Sequence, residues 1–159
     1  MKPDSNQTAA SVKALTVGIA VLNAPIHVAD VMTKDALTML PHQNFAELVG
    51  MMANQSFHHM LVVDEDERLH GVISDRDVLR ALSRTPDWNK KSVGEIMIQD
   101  SFTTTPETAI STAVSLMLEK RINCLPVIGP DGRVAGILTS TDLLKAYEKL
   151  QEQVEQRCL

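Results

Sequence analysis

The sequence contains the heptapeptide GVISDRD at residues 71–77 and the heptapeptide GILTSTD at residues 136–142. Both consist of Gly, two apolar residues, Ser or Thr, two variable residues and Asp. In each one, an apolar run typical of a buried strand leads into a hydroxyl residue of the kind that begins a helix. The Asp three positions later completes the pattern of a capping box. The heptapeptides therefore predict two equivalent strand-to-helix junctions.

The two junctions belong to a longer internal repeat. Residues 28–82 align without a gap with residues 93–147, and roughly 14 of about 55 aligned positions are identical. Many of the other positions pair one apolar residue with another, so we infer a duplication. The predicted organisation is an N-terminal extension (1–27), a first repeat (28–84), a polar linker (85–91), a second repeat (92–148) and a C-terminal helical tail (149–159).

Each repeat predicts the same order of secondary structure: strand, helix, strand, strand and helix. A short extended segment ends at Pro41 or Pro106, and an amphipathic helix follows it in each copy. Two short apolar runs separated by a polar turn then predict a hairpin that leads into the final helix. A single copy of about 55 residues buries too little surface to be stable alone. We therefore expect an α/β module in which the two copies pack together through their sheets.

Composition narrows the class of protein further. Hydrophobic residues make up 44% and charged residues 22% of the chain, which is typical of a folded globular protein. The net charge of -5 and the single Trp and Tyr argue against a nucleic-acid partner. Cys124 and Cys158 form neither a disulfide framework nor a paired metal motif, which favours a reducing, cytoplasmic compartment. The apolar stretch at residues 14–24 is too short to span a membrane, and no membrane partner is predicted.

Two segments outside the repeat core also carry apolar patterns. Leu143, Tyr147, Leu150 and Val154 recur at steps of four and three residues, which predicts that the last helix extends past the second repeat. This strip is short, so packing against the module is favoured over a coiled coil, and a dimer contact is left open. The apolar residues 17–22 are predicted to pack as a further helix or strand.

In its repeat order and its two heptapeptides, the chain resembles a pair of CBS domains, which are named after cystathionine beta-synthase. The resemblance covers about 120 of the 159 residues, and its motif is specific because it occurs twice in register with the whole repeat. It implies a regulatory module, assembled as a homodimer, that requires no cofactor and performs no catalysis. It also implies that AMP, ADP, ATP or S-adenosylmethionine binds in clefts between the repeats, and that an unknown effector protein responds.

The resemblance implies roles for individual residues as well. The Asp of each heptapeptide in CBS pairs accepts hydrogen bonds from ribose hydroxyls, which points to Asp77 and Asp142. The hydroxyl residues Ser74 and Thr139 are then expected near the ribose or the phosphate. The other implied positions are on the first strand (Thr38 and Thr103), in the apolar wall around adenine (Met32, Leu37, Met97 and Phe102) and on the phosphate side (His58, His59 and Arg76).

The second repeat departs from this pattern on its phosphate side. It has Asn123, Cys124 and Thr141 where the first repeat has two histidines and an arginine, although Asn123 is retained as a candidate contact. None of these three side chains carries a positive charge at neutral pH. We therefore expect two chemically unequal clefts, one of them weak or empty.

Other interpretations of the same residues stay open. The Ser74–Asp77 and Thr139–Asp142 pairs fit simple helix caps, although a cap and a ligand contact can coexist at one helix start. The histidines fit exposed or partly packed positions, since no helical His-x-x-x-His or Cys pair indicates a metal. The sequence has no P-loop, paired metal-binding acids or triad-like arrangement, so no enzyme is predicted. A dimerisation module without a ligand is the main alternative function.

Overall fold

The computed structural model describes residues 26–158, and the segment at residues 17–22, predicted to form a further element, lies outside them. The first repeat contains α1 (Val28–Val31), β1 (Thr38–Met39), α2 (Phe45–Asn54), β2 (His59–Val63), β3 (Leu69–Ser74) and α3 (Asp75–Arg84). The second contains α4 (Val93–Ile96), α5 (Ile110–Lys120), β4 (Cys124–Ile128), β5 (Val134–Thr139) and α6 (Ser140–Cys158). This is the expected mixed α/β fold of two repeats.

The two repeats differ in the length of their first strand. In the first repeat, β1 pairs in parallel with β2, and β2 pairs antiparallel with β3. In the second, the expected strand is reduced to an isolated parallel bridge between Thr104 and Val127 beside the β4–β5 hairpin. The reason is that the Leu61 N–H donates to the Leu37 carbonyl (3.1 Å), whereas the equivalent residue Pro126 has no N–H to donate.

The N-terminal arm of each repeat packs into the core of the other repeat. We call residues 26–36 the first arm and residues 91–101 the second arm. Val28 of the first arm is fully buried among apolar side chains of α5, β4 and β5. Val93 of the second arm is fully buried among those of α2, β2 and β3. The arms therefore exchange, and each repeat completes its core with the arm of the other.

A third apolar cluster joins the two sheets in the middle of the module. Leu61 of β2, Val72 of β3 and Ile137 of β5 are buried together there. Cys124 and Val134 of the second repeat are partly buried against the same cluster. The repeats thus pack through their sheets, because each sheet has an apolar face that a single repeat leaves uncovered.

The linker packs against the first repeat through Trp88, whereas residues 149–156 of the tail are mostly exposed. Trp88, within a 3-10 turn at Trp88–Lys90, meets the ring of Phe45 edge to face with 6.3 Å between centroids. The last helix extends past the second repeat as expected, and Leu143 packs against the core. Tyr147 and Val154 stay exposed, so only part of the predicted strip packs within the chain. None of the helices within residues 26–158 combines the length and apolarity needed to cross a membrane.

Two strand glycines lie where the exchanged arms cross. The Val72 N–H donates to the Ile98 carbonyl (3.0 Å), and the Thr33 N–H donates to the Ile137 carbonyl (2.9 Å). A Cβ at Gly71 would lie 2.7 Å from the Ile98 carbonyl oxygen, and one at Gly136 would overlap the Thr33 carbonyl oxygen. Both obstacles are backbone atoms held by hydrogen bonds, so they cannot move aside easily. The glycine shared by the two heptapeptides is therefore required by close backbone approach.

Replacing Gly71 or Gly136 by Ala should lower the free energy of unfolding by about 1–3 kcal/mol, because the added methyl group displaces an arm. Urea unfolding measures the change. Gly50→Ala is the matched control, since a Cβ at this helical position meets nothing within 4 Å. That variant should be more stable than the wild type by about 0.5–1 kcal/mol. Equal stability of all three variants would contradict the arm-crossing explanation.

Candidate functional site

Each heptapeptide forms a capping box at the start of its final helix. The carboxylate Oδ2 of Asp77 accepts hydrogen bonds from the Ser74 backbone N–H (2.9 Å) and hydroxyl (2.6 Å). In the second repeat, the Oδ2 of Asp142 accepts from the Thr139 N–H and hydroxyl, both at 2.7 Å. The predicted caps are confirmed. Because the cap uses Oδ2, the Oδ1 of each Asp is left for another partner.

A cleft of about 680 Å³ lies between the two repeats, at the junction that contains Asp77. This volume is within the range of small-molecule sites in proteins. Eight of the residues implied by the CBS resemblance line it: His58, His59, Ser74, Arg76, Asp77, Phe102, Asn123 and Thr139. Side chains from both repeats therefore face one space.

The cleft contains both basic and acidic groups. The Oδ1 of Asp77 accepts a hydrogen bond from Arg80 Nη1 (3.0 Å), and the Nδ1 of His58 lies 3.2 Å from the Oδ2 of Asp75. Burial lowers the pKa of the His59 imidazole, and the negative charge of Asp75 partly offsets this. His59 is therefore mostly neutral near pH 7. The cleft thus combines an acceptor carboxylate with basic side chains that can bind an anion.

Cys124 also lines the cleft, between the two repeats. Burial, with a smaller contribution from the charge of Asp77, raises the pKa of its thiol to about 12. The thiol therefore stays protonated at physiological pH, and a protonated thiol is a poor nucleophile. Cys124 therefore acts in this cleft as a packing residue, partly buried against Leu61, Val72 and Ile137.

Several residues that line the cleft were not predicted from the sequence. Arg80 lies one helical turn after Asp77, and this spacing was the only feature of the sequence that indicated that the two side chains are neighbours. Ile98, Asp100 and Ser101 reach the cleft because the second arm crosses to the first repeat. Arg121 lines it from the end of α5, where it adopts a left-handed backbone conformation (φ 54°). The repeat alignment pairs Arg121 with Ser56, so the repeat gave no signal for it.

The structure places the remaining candidates elsewhere. Within residues 26–158, the cleft lining lacks six of them: Met32, Leu37, Thr38, Met97, Thr103 and Asp142. Both methionines pack partly buried against the apolar cores, whereas Leu37, Thr38 and Thr103 are exposed. Asp142 lines a smaller groove of about 470 Å³ between α1 and α6. The roles of these six residues as nucleotide contacts stay predictions.

Comparison with known protein families agrees with the repeat architecture. The model of the CBS domain matches residues 28–84 and again residues 93–149. Inosine-5'-monophosphate dehydrogenase of Methanocaldococcus jannaschii is 30% identical over 116 residues. The alignment covers 73% of this chain but 22% of the dehydrogenase, so the chain spans about a fifth of that relative's length.

Solved structures provide a second comparison. The CBS domain pair of protein MJ0100, in complex with 5'-methylthioadenosine and S-adenosyl-L-methionine, is 26% identical with a TM-score of 0.70. CBSX2 in complex with AMP is also 26% identical, with a TM-score of 0.69. Each comparison covers 79% of this chain and 98% of the other. Two family matches in tandem, together with this similarity over nearly whole CBS pairs, show that the chain belongs to the CBS domain family.

Proposed function

We propose that this chain is a regulatory module that binds an adenosine nucleotide (AMP, ADP or ATP) in the cleft at Asp77. The observation that carries the proposal is the position of the Asp77 carboxylate in a cleft of about 680 Å³ that also contains histidine and arginine side chains. A carboxylate binds a vicinal diol, and the cations bind phosphate. A nucleotide carries both groups.

The ribose and the phosphate have separate partners in this proposal. The ribose hydroxyls replace Arg80 as donors to the Oδ1 of Asp77, while Oδ2 keeps its cap bonds to Ser74. Arg80 lies on the surface with about half of its side chain exposed (51%), so it can turn toward the phosphate. The backbone N–H groups of Asp75, Arg76 and Asp77 at the start of α3 already have acceptors, so the cationic side chains are the proposed partners of the phosphate.

The adenine ring has an apolar surface available in the same cleft. Phe102 is 45% exposed and lines the cleft beside Ile98 and Ile122. An exposed aromatic ring next to aliphatic side chains is a suitable surface for a planar base. The solved relatives support this assignment, since the ligands named for MJ0100 and CBSX2 all contain an adenosine group. S-Adenosylmethionine is the alternative ligand.

Occupancy of the cleft can be transmitted because the cleft is lined by both repeats. A ligand that contacts both favours the arrangement of the repeats in which those contacts are made. We propose that a partner protein, not identified, binds preferentially to that arrangement. No covalent chemistry is part of this function. We also propose a cytoplasmic location, because the thiol of Cys124 is free and free thiols are typical of reducing compartments.

Calorimetry of the full chain with AMP, ADP, ATP and S-adenosylmethionine tests the ligand class. Asp77→Asn should weaken binding of the preferred ligand by about tenfold or more, because a charged acceptor for the diol is lost. Asp142→Asn is the matched control, since it changes the equivalent capping carboxylate outside the cleft and should leave that affinity unchanged. Unaltered affinity in Asp77→Asn would refute the site. A wild-type chain that binds none of the four ligands would favour a dimerisation module without a ligand.

The role of His59 predicts proton uptake on binding. Burial lowers the pKa of His59 below 6.5, so a nearby phosphate dianion should raise this pKa and drive protonation. Binding should therefore take up protons at pH 7, and affinity should increase as the pH is lowered from 8 toward 6. Calorimetry in buffers of different ionisation enthalpy measures the uptake. His59→Asn should reduce it, and equal uptake in both proteins contradicts the role of His59.

The homodimer is proposed from a repeated apolar surface on the two final helices. Leu79 of α3 is 67% exposed and its counterpart in the repeat, Leu144 of α6, is 68% exposed. Three residues later, Leu82 and Tyr147 are exposed as well. Large apolar side chains exposed at equivalent positions of both repeats are typical of an interaction surface. A second copy of the chain presents the same surface, as a two-fold dimer requires.

Replacing Leu79 and Leu144 together by Asp should convert the dimer into a monomer, because burying two carboxylates at the interface is unfavourable. Size-exclusion chromatography with light scattering measures the mass. The double change to Met, which keeps the surface apolar, should retain the dimer. A dimer that persists in the Asp variant, with an unchanged melting temperature, would place the interface elsewhere.

A further inference from the structure

The two capping carboxylates have different partners although they occupy equivalent positions in the repeat. The hydroxyl of Thr33, in the first arm, donates a hydrogen bond of 2.8 Å to the Oδ1 of Asp142. The equivalent residue of the second arm is Ile98, whose side chain has no donor to offer Asp77. The Oδ1 of Asp77, which the cap does not use, accepts a hydrogen bond from Arg80 Nη1 instead (3.0 Å). One carboxylate thus has a hydroxyl partner from the exchanged arm, where the other has an arginine of its own helix.

Thr33 is held firmly in the position from which it donates. Its N–H donates to the Ile137 carbonyl and its carbonyl accepts from the Ile137 N–H, both at 2.9 Å. A Thr side chain is also stiff about χ1 because it branches at Cβ. Arg80, by contrast, projects from α3 on a flexible side chain that is 51% exposed. A ligand hydroxyl can therefore displace Arg80 more easily than Thr33.

The surroundings of the two carboxylates also make Asp77 the more suitable ligand site. Asp77 lines the large cleft with Ile98, whereas Asp142 lines the smaller groove, together with Asp30 and Lys145. The hydroxyl of Thr33 has the same chemistry as a ribose hydroxyl, and it makes the hydrogen bond that such a hydroxyl would make.

We propose that Thr33 is an internal competitor of the ribose at Asp142, so that each chain binds one nucleotide, at Asp77. The residue at this position of each arm selects which cleft is used. Ile98 leaves the carboxylate of Asp77 accessible to a ribose, whereas the hydroxyl of Thr33 occupies the carboxylate of Asp142. This inference rests on the proposed nucleotide function. It adds to that function the residue that determines the number of ligands.

Native mass spectrometry and calorimetry with AMP and ATP measure the number and affinity of bound nucleotides. The wild type should bind one per chain. Thr33→Val keeps the shape of the side chain and removes the hydroxyl, so affinity at the second site should increase by about tenfold or more. Thr33→Ser keeps the hydroxyl and should behave like the wild type. Two nucleotides per wild-type chain, or no gain in Thr33→Val, would overturn the proposal.

The reciprocal change provides an independent test at the other cleft. Ile98→Thr introduces a hydroxyl that can bond to Asp77, so nucleotide affinity there should fall by about tenfold. Ile98→Val is the matched comparison, because Val has the shape of Thr without the hydroxyl, so any effect of the smaller apolar side chain is shared and the loss of affinity is measured as the difference between the two variants. Equal affinities of Ile98→Thr and Ile98→Val would overturn the proposal.

Measurements without ligand separate this inference from the proposed function. Loss of the hydrogen bond to Asp142 should lower the melting temperature of Thr33→Val by about 2 °C or more, with Thr33→Ser close to the wild type. If no variant binds nucleotide but this difference is present, the contact is upheld and the nucleotide function is refuted. If Thr33→Val has the same melting temperature as the wild type, the hydrogen bond to Asp142 is too weak to compete with a ribose, and the proposal is overturned.

Discussion

The exchange of the two N-terminal arms is the constraint on which the rest of the structure depends. Backbone hydrogen bonds join Thr33 to Ile137 and Ile98 to Val72, and each arm fills the apolar core of the opposite repeat. Gly71 and Gly136 are glycines because a Cβ would meet the backbone of the crossing arm. Since neither core is complete without the other repeat's arm, the repeats fold as one unit, and the cleft between them is part of that unit.

The same residues stabilise the fold and provide the candidate site. The Oδ2 of Asp77 satisfies the cap of α3 through Ser74, which fixes the carboxylate in position and leaves Oδ1 directed to another partner. A site built on a helix start in this way is preorganised, so little conformational entropy is lost when a ligand binds. The cap and the ligand contact are therefore compatible roles of one carboxylate, and the cap alone does not exclude a ligand.

The two halves differ in their side chains and in the length of their first strand, although their backbones remain related. Pro126 removes a backbone donor that Leu61 retains, which shortens the second sheet. His58 and His59 face the large cleft opposite Asn123 and Cys124, so most of its basic character comes from the first repeat. These changes are single side chains, yet they place most of the basic groups of the cleft on the first repeat.

The sequence by itself determined the repeat, the order helix, strand, strand and helix within each copy, and the two capping boxes, because these depend on apolar periodicity and on contacts between residues a few positions apart. It also identified eight residues of the cleft, through the family resemblance. Only the tertiary structure decided that the arms exchange, that Ile98 and Ser101 join Asp77, and that Thr33 bonds to Asp142. Thr33 and Asp142 are 109 positions apart. Such contacts depend on how the repeats pack, and no local pattern in the chain encodes them.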